Sequence, residues 1–424
     1  MPDPSILRSR DAELFFPVFN RLDVVIERGE GPYLYASDGR LFLDFFGGLA
    51  VNALGHAHPA IRAAINDQAA RYSHLSNLFV QEPQVNLAAR LTALTGMPRV
   101  FFCNSGTEAI EAAVKLVRKW GAPRNRNAMV GFSGGFHGRT MSALSLMEQE
   151  KYREGYGPFL EGCQVLPFND VDALRSNVSE TTAAVFIEFL QGEGGVIPAT
   201  ANFVEVLEDL RRRYGFLLVA DEVQCGTGRT GRFSAFEHWN VRPDVMVMAK
   251  AIGGGLPLGA ILTTHDLSEI YGKAGHGTTF GGNPISCAAG VACIDVMLRE
   301  QLVANAAWIG SELIEGLETL QREFPGTIKE IRGAGCMIGM ELYGPADAYA
   351  VACRERGLLV NVTQGNVVRL LPPYVLEACH VQEGLRIMRE AMEKLAAQHA
   401  DISSSPDTLS SPEDPVASKE PARS

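Results

Sequence analysis

Hydrophobic and polar positions along this chain follow two periods in turn. PAIRAAINDQAARY (59–72) and PQVNLAARLTALT (83–95) carry helical spacing, each with a proline in the first turn, where its missing N–H costs nothing. VFFC (100–103) predicts a short buried strand. It runs into a helix over about 106–120 that places Ile110, Ala113, Val114 and Val117 on one face. AMVGF (128–132), AAVFIEF (183–189), FLLVAD (216–221), DVMVMA (244–249) and GAILTT (259–264) are apolar along their length, as strands are when helices cover both faces of a sheet. Helices over 201–214 and 284–299 separate some of them. The alternation predicts an α/β fold with a largely parallel sheet.

From about residue 303 the pattern changes. A helix over 303–323 is followed by TIKEIRG, CMIGMEL, a short helix over 345–356, LLVNV, VVRLLP and a helix over 376–397, which together predict a smaller α+β unit. Residues 401–424, DISSSPDTLSSPEDPVASKEPARS, lack the apolar side chains that would offset the entropy of ordering and predict a disordered tail.

Composition narrows the class. The chain has 424 residues, 46% of them hydrophobic, too many for a disordered protein. No apolar run approaches the roughly 20 residues needed to span a bilayer. The first residues include Asp3 and no apolar stretch, so no secretion signal is expected. With 38 Lys+Arg against 49 Asp+Glu, the net charge is −11, which predicts repulsion from nucleic acid and anionic membranes. The RRR run at 211–213 shares its helix with Glu205, Glu208 and Asp209 and reads as a solvated face. Eight scattered cysteines without a CxxC pair fit a reducing cytoplasm. Nine histidines without HExxH predict no metal site, and His56 and His58 in GHAHP read as a turn before a helix.

Three segments carry candidate chemistry. GTGRTG, with Gly226, Gly228 and Gly231, has dinucleotide-loop spacing, but no amphipathic helix follows before Pro243, which argues against that use. Just upstream, Asp221-Glu222-Val223-Gln224 puts two carboxylates at the end of a buried strand, where ligands of open α/β sheets gather. Lys250 follows an apolar strand and precedes three glycines. Desolvation there would lower its pKa and make the amine nucleophilic, whereas a lysine that snorkels to solvent would do neither. In Asn104-Ser105-Gly106-Thr107-Glu108, Ser105 and Glu108 have capping-box spacing, and the turn also offers hydroxyls and free N–H groups at a helix N-terminus. A phosphate turn, a strand-end carboxylate and a lysine before glycines are the parts that pyridoxal phosphate requires.

Taken with LDFFGGLAVNALGHAHP, FFCNSGTEAIEAAVKLVRK, GFHGRTMSALS, QGEGGV, DEVQCGTGRTG, AKAIGGGLPLGA, HGTTFGGNP and VVRLLPP, the chain resembles the class III pyridoxal-phosphate aminotransferases of the ornithine and acetylornithine type over about residues 15–397. The resemblance implies a type I fold: a large cofactor-binding domain (54–302) with a mainly parallel seven-stranded sheet, and a small C-terminal domain (303–400) joined by an N-terminal segment (1–53). Lys250 then corresponds to the lysine that forms an imine with pyridoxal 5'-phosphate and moves the proton. Asp221 corresponds to the partner of the pyridine nitrogen. Val223 and Phe136 would flank the ring, Gln224 would reach its hydroxyl, and Glu222 lies beside them in the cofactor set. Ser105, Gly106 and Thr107 match the phosphate loop, and Thr279 matches a threonine that reaches the phosphate from a second subunit, which implies a homodimer with shared sites. Arg369 resembles the arginine for the α-carboxylate of glutamate, Glu193 its gating partner, and Arg139 a second carboxylate contact; Thr278 and Glu188 match substrate-side positions.

The implied reaction is ping-pong transfer of an amino group from an ω-amino donor to 2-oxoglutarate, giving glutamate and an aldehyde. N-Acetylornithine is the first expectation, because GGLAVNALGH and HGTTFGGNP look most like that branch; 4-aminobutyrate and ornithine are alternatives within the same chemistry. An aminomutase or decarboxylating enzyme on this fold is a further alternative, against which Glu193 and Arg369 speak. A noncatalytic paralogue would lack Lys250 or Asp221. The chain departs from the family pattern at Phe19, where ornithine enzymes place a tyrosine, and at Phe189, Cys225 and Phe280, which bear on the choice of amine.

Overall fold

The computed structural model describes residues 3–404, with side chains to 396. Its central sheet has seven strands in the order Arg99–Cys103, Gly259–Thr263, Val245–Met248, Leu217–Asp221, Thr182–Ile187, Ala128–Phe132 and Cys163–Leu166. The last five are mutually parallel, and only Gly259–Thr263 runs against its two neighbours. Every residue of Thr182–Ile187, Leu217–Asp221 and Val245–Met248 is buried, as unbroken apolar runs require when helices lie on both faces. The amphipathic helix Gly106–Gly121 packs its apolar stripe, including Ile110, Val114 and Val117, against one of those faces.

The chain from Leu302 onward, with Leu43, Phe45, Leu54 and the helix Pro284–Arg299, builds a second core around the helix Leu302–Glu323 and the antiparallel sheet Ile328–Ala334, Met337–Leu342, Val367–Leu370, Asn361–Thr363. The N-terminal strands Ile26–Glu30, Tyr33–Ala36 and Leu41–Asp44 form a third sheet, completed by Leu358–Leu359 pairing parallel with Leu43 and Asp44. LLVNV, which periodicity reads as one strand, is thus divided: its first two residues join the N-terminal sheet and the segment from Asn361 joins the other. The final helix, Ala378–Ser404, continues past the expected end at 397. Residues 401–404 of the expected disordered tail are therefore helical, and 405–424 lie outside the described residues. Among the described residues, no helix is long and apolar enough to cross a membrane.

Candidate active site

Four parallel strands and the edge strand Arg99–Cys103 end at one rim of the sheet, and the turns that follow them enclose a cavity of about 440 Å³. Alternation along Leu217–Asp221 turns Asp221 into this cavity. Its Oδ2 lies 2.8 Å from His137 Nδ1, and its Oδ1 accepts the Val223 N–H at 3.0 Å. Burial disfavours a charged His137, but the hydrogen bond and charge of Asp221 outweigh it and hold the imidazole pKa above its ordinary value. His137 has no local sequence signal, because its partner is 84 residues away. Glu222, the next residue along, does not line the cavity; its carboxylate accepts the N–H groups of Ala235 and Phe236, so its expected place among cofactor contacts is corrected.

Lys250 follows the strand Val245–Met248 and opens a single 3-10 turn with φ of +53°, a left-handed conformation that costs a side-chain-bearing residue strain. Its amine faces the cavity. Burial pulls its pKa down to about 8, opposed by Glu193 and aided by the cation of Arg369. In the cofactor-free protein, labelling of Lys250 by an amine-selective reagent is expected to rise with pH around a midpoint near 8 rather than the ordinary 10.5. A midpoint at the ordinary value would mean that the amine is solvated.

The opposite wall is the start of the helix Gly106–Gly121. Ser105 caps it, accepting the Glu108 N–H, which leaves the Gly106 and Thr107 N–H groups without an intrahelical acceptor. A Cβ at Gly106 would lie 2.9 Å from Val223, so this turn has room only for glycine against the cavity floor. Phe136 and Val223 both line the space between this turn and Lys250. Free N–H groups at a helix N-terminus, two apolar flanking groups, a buried carboxylate and a reactive amine in one cavity fit pyridoxal 5'-phosphate.

A polar cluster extends from this cavity to the small sheet. Arg369, fully buried, donates from Nη1 to Glu193 Oε1 at 2.6 Å and to Gln224 Oε1 at 3.0 Å, and from Nε to Asn361 Oδ1 at 2.7 Å. Burial works against the Glu193 carboxylate, but Arg369 beside it keeps its pKa below the ordinary range. Gln224, expected at a ring hydroxyl, lines the cavity and spends its side-chain carbonyl on Arg369. Asn361 was not anticipated; it reaches Arg369 because Asn361–Thr363 pairs with Val367–Leu370. Glu188 accepts the Phe136 N–H at 2.8 Å, and burial together with Asp221 pushes its pKa up to about 7.

Arg139 lies exposed at the cavity rim. Thr278 and Thr279 do not line the cavity: Thr278 Oγ1 accepts from Asn104 Nδ2 at 3.3 Å, and Thr279 is exposed on the same loop. Of the departures, Phe189 is buried against Trp239, whereas Phe19 and Phe280 are exposed. The glycines of GTGRTG serve packing: a Cβ at Gly231 would meet Ala307 at 2.7 Å, and Arg229 between them donates to the carbonyls of Cys336 and Pro372.

Residues 18–392 match the family described as aminotransferase class-III. The acetylornithine aminotransferase of Archaeoglobus fulgidus is 41% identical over 379 residues, 89% of this chain and 98% of that protein. That of Agrobacterium fabrum is 42% identical over 391 residues, 91% and 98% respectively. Among solved structures, the ornithine aminotransferase of Toxoplasma gondii superposes with a TM-score of 0.89 at 28% identity, covering 94% of this chain and 96% of the other. The acetylornithine aminotransferase of Elizabethkingia anophelis gives 0.83 at 30% identity, covering 93% and 100%.

Proposed function

The chain belongs to the class-III aminotransferase family, and on that premise we propose that it moves the distal amino group of an ω-amino donor, N-acetylornithine first among them, to 2-oxoglutarate, giving glutamate and an aldehyde. The observation that carries this reading is the Glu193–Arg369 pair, 2.6 Å apart beside the cavity that holds Lys250. With Glu193 on Arg369, the guanidinium is neutralised and a donor presenting no α-carboxylate there is accommodated. With Glu193 displaced, Arg369 offers its fork to the α-carboxylate of glutamate or 2-oxoglutarate.

Pyridoxal 5'-phosphate, the cofactor of this family, supplies an aldehyde that takes up the amino group and a ring that withdraws electrons from the reacting carbon. The N–H groups of Gly106 and Thr107, with the Ser105 and Thr107 hydroxyls, would hold its phosphate at the positive end of the helix dipole. Asp221, oriented by its hydrogen bond with His137, would hold the proton on the ring nitrogen. Val223 and Phe136 would fix the ring plane and exclude water. Lys250 Nζ would take the proton from the carbon bearing the donor amine and deliver it to the former aldehyde carbon of the cofactor; a pKa of about 8 leaves part of the amine neutral near pH 7.

Leu78, Phe79, Val80 and Phe280 are exposed on the loops around Thr278 and Thr279, an apolar surface that a second copy would cover. A homodimer in which Thr279 serves the neighbouring cavity accounts for that exposure. Eight free cysteines fit a cytoplasmic setting.

The test is the absorbance of the loaded enzyme on addition of single donors without a 2-oxo acid. Conversion of the cofactor band by N-acetylornithine and by glutamate supports the proposal; conversion by 4-aminobutyrate or ornithine alone would move the enzyme to that branch, and no conversion by any donor would overturn transamination. Glu193→Ala is expected to shift donor preference toward α-amino acids by about tenfold, the equivalent of ~1.4 kcal/mol for the gate. An unchanged ratio of kcat/KM values would remove the gate.

A further inference from the structure

Arg139 reaches no carboxylate among the described residues. Among the described residues, only its backbone N–H forms a hydrogen bond, to Thr107 Oγ1. Its guanidinium instead lies over the ring of Tyr152, 3.9 Å from the ring centroid, and 5.3 Å from that of Phe136. The two rings meet edge to face, with centroids 5.8 Å apart at 79°. Tyr152 is half-buried on the short helix Glu150–Arg153, and its hydroxyl has no hydrogen-bond partner among the described residues. The contact is therefore made by the ring face. A guanidinium stacked on an aromatic ring keeps all its N–H groups in the outer plane, free for an anion, while losing the rotational freedom that an exposed arginine otherwise spends on binding.

We propose that Tyr152 is a positioning residue for substrate recognition: its ring holds the Arg139 guanidinium at the cavity rim, oriented to take the carboxylate of the donor or of 2-oxoglutarate that lies farther from the reacting carbon. This rests on the reading of Arg139 as a carboxylate contact. Tyr152 acts on the charge already present and adds no polar contact of its own, so the ring matters and the hydroxyl does not.

The experiment measures glutarate, an unreactive five-carbon dicarboxylate, binding to the loaded enzyme by calorimetry, alongside steady-state kinetics with 2-oxoglutarate. Tyr152→Leu should raise the glutarate Kd and the 2-oxoglutarate KM about fivefold, the scale of one exposed cation–π contact, while kcat stays within about twofold. Tyr152→Phe should restore wild-type values. Arg139→Gln should weaken glutarate more, and adding Tyr152→Leu to it should weaken it no further. If Arg139→Gln weakens glutarate and Tyr152→Leu does not, the role of Tyr152 is overturned and that of Arg139 stands. If Arg139→Gln has no effect, the reading of Arg139 itself fails and Tyr152 falls with it. Loss of cofactor from Tyr152→Leu with unchanged glutarate affinity would overturn the proposal in favour of a brace for Phe136.

Discussion

Lys250→Ala is expected to lower kcat/KM for every amino donor by about 10⁴-fold, ~5.4 kcal/mol of transition-state stabilisation, while the protein still folds and retains its cofactor. The size follows from what is removed. Lys250 is the amine that faces the cavity, and burial has already brought its pKa down to about 8, so no neighbouring group can replace it as a proton carrier. Glu188 lines the same cavity with a carboxyl raised to about 7, but it is bound to the backbone N–H groups of Phe136 and Gly192. Added methylamine should recover part of the lost activity, because the cavity vacated by the side chain admits a small primary amine. Activity within tenfold of wild type would dismiss Lys250 from the chemistry.

The second large effect is expected at Asp221→Asn, about 10³-fold in kcat, or ~4 kcal/mol. The amide keeps the shape of the carboxylate but removes its charge from a buried position that faces the cavity. The exchange also reports on His137. Asp221 is the main group that holds the His137 pKa above its ordinary value; without that charge, only Glu188 still opposes burial, and the imidazole pKa falls. The imidazole resonances of His137, followed by NMR, should show a raised pKa in the wild type and a lower one in the variant. The sign for stability follows. In the wild type the pair contributes fully below the ordinary histidine pKa of 6.5, and that contribution is lost as pH rises through the raised value; the variant should lack this slope. A kcat within tenfold of wild type would show that ring protonation does not depend on Asp221.

The strands and turns that frame the cavity were legible because buried parallel strands are uniformly apolar and because Lys250, Asp221 and Ser105 sit at their ends. What escaped depended on contacts between distant residues. His137 meets Asp221 only because Ala128–Phe132 and Leu217–Asp221 flank the same central strand. Asn361 meets Arg369 only through strand pairing. Cys163–Leu166 was overlooked as a strand because it is a short, half-polar edge. Glu222 was misplaced for a reason the sequence did contain: side chains alternate along an extended segment, so a residue adjacent to one that faces the cavity faces away from it. GTGRTG illustrates the converse, a motif whose glycines answer to close packing against Ala307 rather than to a nucleotide.

The backbone at Lys250 has a cost that reaches beyond chemistry. A left-handed φ of +53° on a residue with a side chain, and an ammonium drawn out of water, both weigh against folding, the first alone by roughly 1–3 kcal/mol. Glycine at this position would relieve both. A population of variants screened for heat resistance alone would therefore tend to discard its reactive amine, and thermostabilising this scaffold while keeping it active means finding the gain elsewhere in the chain.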